Sequence, residues 1–306
     1  MHNVNFYTLM YVADNESRRF SGKQYSGESK LDIFVKGACV LDKSLKINGA
    51  SGLCLLTNNT DAIQASLARV GYTGLMVKTI DFDLNVPMGC KFYTAHYKID
   101  VFRYLGTRPD DEYSILLDSD VVSIYPFGGD FHSIIQAGLP MVYNLSGYGG
   151  ERRLKDVAKI VDDVDWMAWA GGEFIGGCNE FFRALYQDIC SFKESYWENI
   201  DNDLFHVGDE MLTSIALSHL RGRFIPVDAG ANGFIHRYWS VFDELEYTDR
   251  KTALVHFPGD KEYFANVNLN AESVENLMKN YRTYRLKCRI KGLVKKILDK
   301  QWYMKL

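Results

Sequence analysis

Asp118 and Asp120 follow the apolar run 115–117 and stand one residue apart. In an extended strand, side chains alternate between faces, so carboxylates at i and i+2 point the same way and converge. At the C-terminal end of a buried parallel strand, that face is the crevice where α/β sheets bind ligands. Two close hard-oxygen anions suit Mg²⁺ or Mn²⁺ bridging a diphosphate, because without a cation they repel and share a proton. The spacing predicts a metal site here rather than a solvated acidic turn, given the cost of unpaired buried charge.

Other reactive groups sit at the ends of elements. His256 closes a strand-like run, 253–256, and is followed by Gly259 and Lys261. Asp209 and Glu210 open a helical stretch, 209–220, where acids also serve as caps and dipole partners. The segment WAGGEFIGG over 169–177 combines glycines, which permit close backbone approach to a ligand, with a carboxylate, Glu173. The pattern DxDxV after an apolar strand also fits haloacid dehalogenase-type phosphatases, whose first Asp is a nucleophile and second a general acid. There the pair normally lies on the first strand, whereas 117 residues precede it here.

The elements that must position these groups alternate as βα units over about the first 145 residues, predicting an α/β fold with a mostly parallel central sheet and flanking helices. Strands are expected over 6–13, 52–57, 74–78 and 113–122, and helices over 30–42, 61–70 and 92–105. Beyond 150, helices are expected over 180–192 and 209–220, with strands over 223–227 and 253–256. Without repeat or linker, residues 1–275 read as one catalytic body, with a nucleotide half over about 1–150 and a second half over 151–275. Residues 276–306 form a separate amphipathic tail.

The 306 residues carry 35 Lys and Arg against 39 Asp and Glu, a net charge of −4. Residues 279–306 hold ten of the basic residues and only Asp299, so the tail is +9 and the body −13. An acidic body argues against a nucleic-acid partner. In the tail, Leu286, Ile290, Leu293, Val294, Ile297 and Leu298 recur at helical spacing among Lys and Arg, with Trp302 and Tyr303 near the end. That pattern predicts an interfacial helix for an anionic membrane surface. The six cysteines, without a CxxC pair, read as reduced thiols, and no run approaches a membrane span or a signal peptide. The expected setting is cytoplasmic, peripheral to the inner face of the membrane.

Taken in order, these motifs resemble the retaining glycosyltransferases of the GT-A (Rossmann-like nucleotide-diphospho-sugar transferase) fold. Over residues 6–264 they are most similar to family 8, which includes glycogenin and bacterial lipopolysaccharide galactosyl- and glucosyltransferases, with family 6-like features. The resemblance implies that Ala13 and Asp14, in VADN over 12–15, hold the uridine and that Ser119 lies with them at the nucleotide. Lys98, in TAHYK over 94–98, stands where family 8 carries an Arg facing the nucleotide, so a point charge replaces a fork. HFPGDK over 256–261 resembles the family's His-x-x-Gly-x-x-Lys, one residue shorter, making His256 the third metal ligand beside Asp118 and Asp120 and Lys261 a diphosphate contact. Gly171, Gly172 and Glu173 resemble the segment lining the donor-sugar and acceptor pocket. The family 6 pattern makes Glu210 the catalytic carboxylate, and the family 8 pattern gives that place to Asp209. The implied activity is transfer from a UDP-sugar to a saccharide acceptor in bacterial surface-glycan synthesis, with Mn²⁺ or Mg²⁺ and with retention. Inversion, with Asp209 or Glu210 as general base, is the alternative within this class.

Overall fold

In the computed structural model, the N-terminal apolar run forms β1 (Asn3–Met10) near the middle of a seven-stranded sheet. The chain continues through α1 (Lys30–Ile47), β2 (Leu53–Thr57), α2 (Thr60–Val70), β3 (Met76–Thr79), α3 (Lys98–Leu105) and β4 (Glu112–Leu117). Then come β5 (Val121–Ser123), α4 (Gly129–Gln136), β6 (Met141–Asn144), α5 (Gly150–Val157), β7 (Ala170–Cys178), α6 (Asn179–Asn199) and α7 (Asp209–His219). The last elements are β8 (Val227–Asp228), β9 (Ile235–Arg237), β10 (Leu254–His256), α8 (Lys261–Ala265) and α9 (Val274–Tyr303). The structure describes residues 2–13, 29–87, 89–147, 150–162, 168–200, 204, 206–238, 252–269 and 273–303, with 150, 151, 262, 265, 289 and 292–303 as backbone alone.

The large sheet runs β3-β2-β1-β4-β7-β6-β8, and β5-β10-β9 form a small second sheet. β1 pairs in parallel with β2 and β4, whereas β7 is antiparallel to both β4 and β6. Every residue of β4 is buried, as a strand covered on both faces requires. Local signals fix the first helices: Ser29 caps α1 through the Asp32 N–H, Asn59 caps α2, and Gly71 ends α2 at φ 72°.

Three differences from the sequence expectation have local causes. The helix expected over 92–105 begins as a 3₁₀ turn at Ala95 and becomes α-helical at Lys98, because Phe92 takes φ 54°. The strand expected over 223–227 is confined to Val227–Asp228, since the Phe224 N–H still bonds the Leu220 carbonyl. β4 stops at Leu117, so Asp118 and Asp120 lie in the turn to β5 rather than on the strand. They converge through that turn, in which the Val121 N–H bonds the Asp118 carbonyl at 3.2 Å, and not through the strand pleat. All six cysteines are free thiols, and no helix among the described residues is long and apolar enough to cross a membrane.

Candidate active site

The turn after β4 is held from three sides. The Asp118 N–H bonds the Glu173 carbonyl on β7, and the Phe257 N–H after β10 bonds the Asp120 carbonyl at 3.0 Å. On the third side Gly37 of α1 sits so close that a Cβ there would lie 2.7 Å from the Ser119 carbonyl oxygen. The antiparallel pairing of His256 with Val121 then sets the imidazole beside the two aspartates. His256 Nε2 is 3.2 Å from Asp120 Oδ1 and 3.8 Å from Asp118 Oδ2. One ligand atom each from Asp118, Asp120 and His256 lie within 4.8 Å of one another.

This donor set fits a hard divalent cation. Asp120 Oδ2 is buried with no aligned hydrogen bond, its ion-pair partner being Lys261 Nζ at 3.0 Å. Five carboxylates, Asp118, Asp120, Glu173, Asp209 and Glu210, face three permanent cations, Lys98, Lys261 and Arg237. Burial opposes the His256 imidazolium, but Asp120 and Glu173 overcome it and its pKa is pushed up to about 9. Burial likewise opposes the Asp120 carboxylate, yet Lys261 and His256 hold its pKa well below the usual carboxylate range.

Residues distant in sequence stand behind these three side chains. Glu173 is fully buried, and its carboxylate faces His256 Nδ1 at 3.3 Å and accepts both arms of the Arg237 guanidinium. This is a carboxylate–histidine pairing of the kind that fixes a ligand's tautomer and ring orientation. Because no surface of Glu173 is exposed, its place in the structure is behind the histidine, and the expected bond to a sugar hydroxyl is not open to it. Arg237 lies beside His256 in the β9–β10 register and also holds Glu210 Oε1 at 2.6 Å.

Glu210 further accepts Trp169 Nε1–H at 3.0 Å and lies 3.1 Å from His206 Nε2. Against the burial that would raise its pKa, His206 and Arg237 hold it well below the ordinary range, so it stays ionised. Asp209 faces Lys98 Nζ at 2.8 Å, and burial outweighs that lysine and raises its pKa. Lys98 also pairs with Asp118 at 2.8 Å and donates to the Gly172 carbonyl, so it ties α7 to the turn that carries the two aspartates.

Gly171 and Gly172 make room for these carboxylates. A Cβ on Gly172 would fall 2.5 Å from Asp209 Oδ2 and 2.9 Å from Lys98 Nζ, and one on Gly171 would fall within the Glu173 carboxylate. Gly172→Ala is expected to destabilise the protein by about 1–3 kcal/mol through overpacking against a lysine already held by three partners. Thermal melting checks this, and an unchanged midpoint would show that the network yields freely.

Ser119 occupies the turn between the two aspartates, partly exposed. Ala13 lies just past β1, whose end is clamped by a residue the sequence did not single out: Asn58 accepts the Val12 N–H and donates to the Val12 carbonyl at 2.7 and 2.9 Å. Asp14 lies outside the described residues.

The start of α7 is held by a chain of donors. The Gly208 N–H donates to Tyr196 Oη, and that hydroxyl lies 2.8 Å from His96 Nε2 while His96 Nδ1 lies 3.1 Å from the Phe92 carbonyl. These distances fit a neutral His96 with its proton on Nδ1, and burial lowers its pKa to about 4. A histidine depressed in the folded state binds its proton more tightly when unfolded, so stability is complete above about pH 6.5 and falls towards pH 4. The His96 contribution to that loss is expected to be at most about 3 kcal/mol. Denaturant titrations of wild type and His96→Gln across this range check it, the variant showing the shallower decline.

No family model and no curated protein matches this sequence. Among solved structures, an active-site mutant of LgtC superposes with a TM-score of 0.55 at 13% identity, over 91% of this chain and 95% of that one. The galactosyltransferase LgtC in complex with donor and acceptor sugar analogues gives 0.54 at 13% identity, over 90% and 94%. The shared feature is the fold, the GT-A architecture that the sequence motifs led us to expect.

Proposed function

We propose that this chain is a metal-dependent glycosyltransferase that moves a sugar from a UDP-sugar to a saccharide acceptor with retention of anomeric configuration. The observation that carries the reading is the Asp118, Asp120 and His256 cluster at the ends of β4 and β10 in a GT-A-like fold. Mn²⁺ or Mg²⁺ would be held by those three residues, and the chemistry it supplies when bound is neutralisation of the leaving diphosphate. Lys261, and Lys98 through Asp118, add positive charge on the same side. Ala13, Asp14 and Ser119 contact the nucleotide. Glu210, kept ionised by His206 and Arg237, or Asp209, paired with Lys98, supplies negative charge for the oxocarbenium-like centre. The glycines at 171 and 172 border the sugar pocket.

Thermal melting with Mn²⁺ and UDP, GDP, CMP or simple phosphate esters tests this reading. The expected result is a large upward shift with UDP that requires the metal, followed by UDP release from UDP-sugars and a product of retained configuration. Hydrolysis of a generic phosphate ester with no nucleotide shift would instead assign the Asp118 and Asp120 pair to a phosphatase.

The acceptor class we propose is a lipid-linked surface glycan, met at the inner face of the membrane. Leu286 and Ile290 on α9 are exposed, 59% and 51%, one turn apart among basic residues. Replacing both by aspartate is expected to lower binding to anionic vesicles at least tenfold, since apolar burial and charge attraction are lost together. Co-sedimentation measures this, and undiminished binding would remove the membrane from the proposal.

A further inference from the structure

The C-terminal helix grips the segment that carries Lys261. Asp260 precedes α8, yet its carboxylate makes no capping bond to that helix. It accepts instead from α9, taking Tyr281 Oη–H at 2.6 Å and Arg285 Nη1–H at 2.9 Å. Asp260 and Tyr281 are buried. The Tyr281 ring packs on Phe257 at 4.6 Å and on Tyr263 at 5.1 Å, and Tyr263 Oη donates to the Leu277 carbonyl on α9.

The short segment 256–261 is therefore fastened at both ends. Its first residues, His256 and Phe257, are joined to Asp120, and its last but one is joined to α9. Lys261 follows directly, 3.0 Å from Asp120 Oδ2, with its ammonium over the Phe34 ring. An ammonium on a flexible stem holds one place only if its backbone is fixed.

From this we infer that Tyr281 and Arg285 are positioning residues for Lys261, so that the tail helix sets the positive charge at the diphosphate end of the site as well as offering Leu286 and Ile290 to a surface. The inference rests on the proposed reading of the site for its ligand, but not for its geometry. The helix that meets the surface is then the one that holds the donor-site lysine, and the two functions share one rigid element.

The test uses the full chain, with the variants Lys261→Met, Tyr281→Phe with Arg285→Met, the three combined, Arg285→Lys alone, and Met278→Ala as a packing control. UDP affinity in the presence of Mn²⁺ is measured by calorimetry, and amide hydrogen exchange is followed over 254–265 and 117–123. Lys261→Met is expected to weaken UDP about tenfold, as for loss of one charge-assisted bond. The Tyr281→Phe and Arg285→Met pair is expected to weaken it by a similar factor and to add less than twofold to Lys261→Met, because interacting sites are not additive. Arg285→Lys retains most of the affinity, Met278→Ala leaves it within twofold, and exchange over both segments rises in the paired and triple variants and not in the others. UDP affinity within twofold of wild type in the paired variant, or a full multiplication with the Lys261→Met effect, would overturn the inference. If the wild type binds no UDP, the functional proposal fails by itself. Exchange then decides the positioning role, raised values over 254–265 and 117–123 supporting it and unchanged values refuting it.

Discussion

Asp120→Asn is expected to abolish the Mn²⁺-dependent thermal shift with UDP and to cut sugar transfer about a thousandfold, several kcal/mol of charge stabilisation being lost at once. The reason lies in where Asp120 stands. It is the most buried of the three candidate ligands by side chain, it faces His256 and Lys261 together, and its carbonyl anchors Phe257. Asparagine keeps the size and the backbone bond but removes the anion, so the fold is expected to survive while the ion is lost. A change in melting midpoint of a few degrees with no metal response fits this account. A variant that still transfers sugar within threefold of wild type would remove Asp120 from the metal site.

Arg237→Met is expected to be the most damaging single change to stability. It leaves Glu173 and Glu210, both buried, without their shared cation, and breaking a buried pair in this way costs about 3–5 kcal/mol. In a chain of this size that corresponds to a fall in melting midpoint on the order of 10 °C. Adding Glu173→Gln to Arg237→Met is expected to recover part of the loss, since one of the two orphaned charges is removed. The double variant should nonetheless bind Mn²⁺ more weakly than wild type, because His256 loses the carboxylate behind Nδ1. A fully additive double variant would show that the two groups do not act as a pair.

Much of this arrangement is legible from the chain alone, and what is not has a physical reason. The aspartate pair, His256, Lys261, Lys98 and the acids at 209 and 210 all stand at the ends of elements, where a side chain reaches the crevice whatever the details of packing. β7 is harder to see, because four glycines in nine residues read as breakers, whereas here they are the places where Asp209, Glu173, Tyr113 and Phe181 come closest to the backbone. Arg237 carries no local pattern at all. Its partners lie 64 and 27 positions away, and only the pairing of β9 with β10 makes it their neighbour. Gly37 and Asn58 are hidden in the same way, one by a helix that otherwise tolerates alanine, the other by a loop contact with Val12, 46 positions away.

The order of strands in the sheet also bears on how the chain reaches this state as it is made. β1 is synthesised first but pairs with β4, and the buried bond from Tyr7 to Glu112 spans 105 positions. One edge of the first strand therefore stays open until the fourth emerges, and pairings of such long range form slowly. The site is completed later still, since Glu173 waits 64 positions for Arg237 and 83 for His256. Until then Arg237 and Lys261 are missing, and Lys98 is the cation in place beside Asp118 and Asp209. A ribosome-bound chain stalled before β9 would have all the strands of the large sheet but not Arg237 for Glu173 and Glu210, and such incompletely packed states are prone to aggregate.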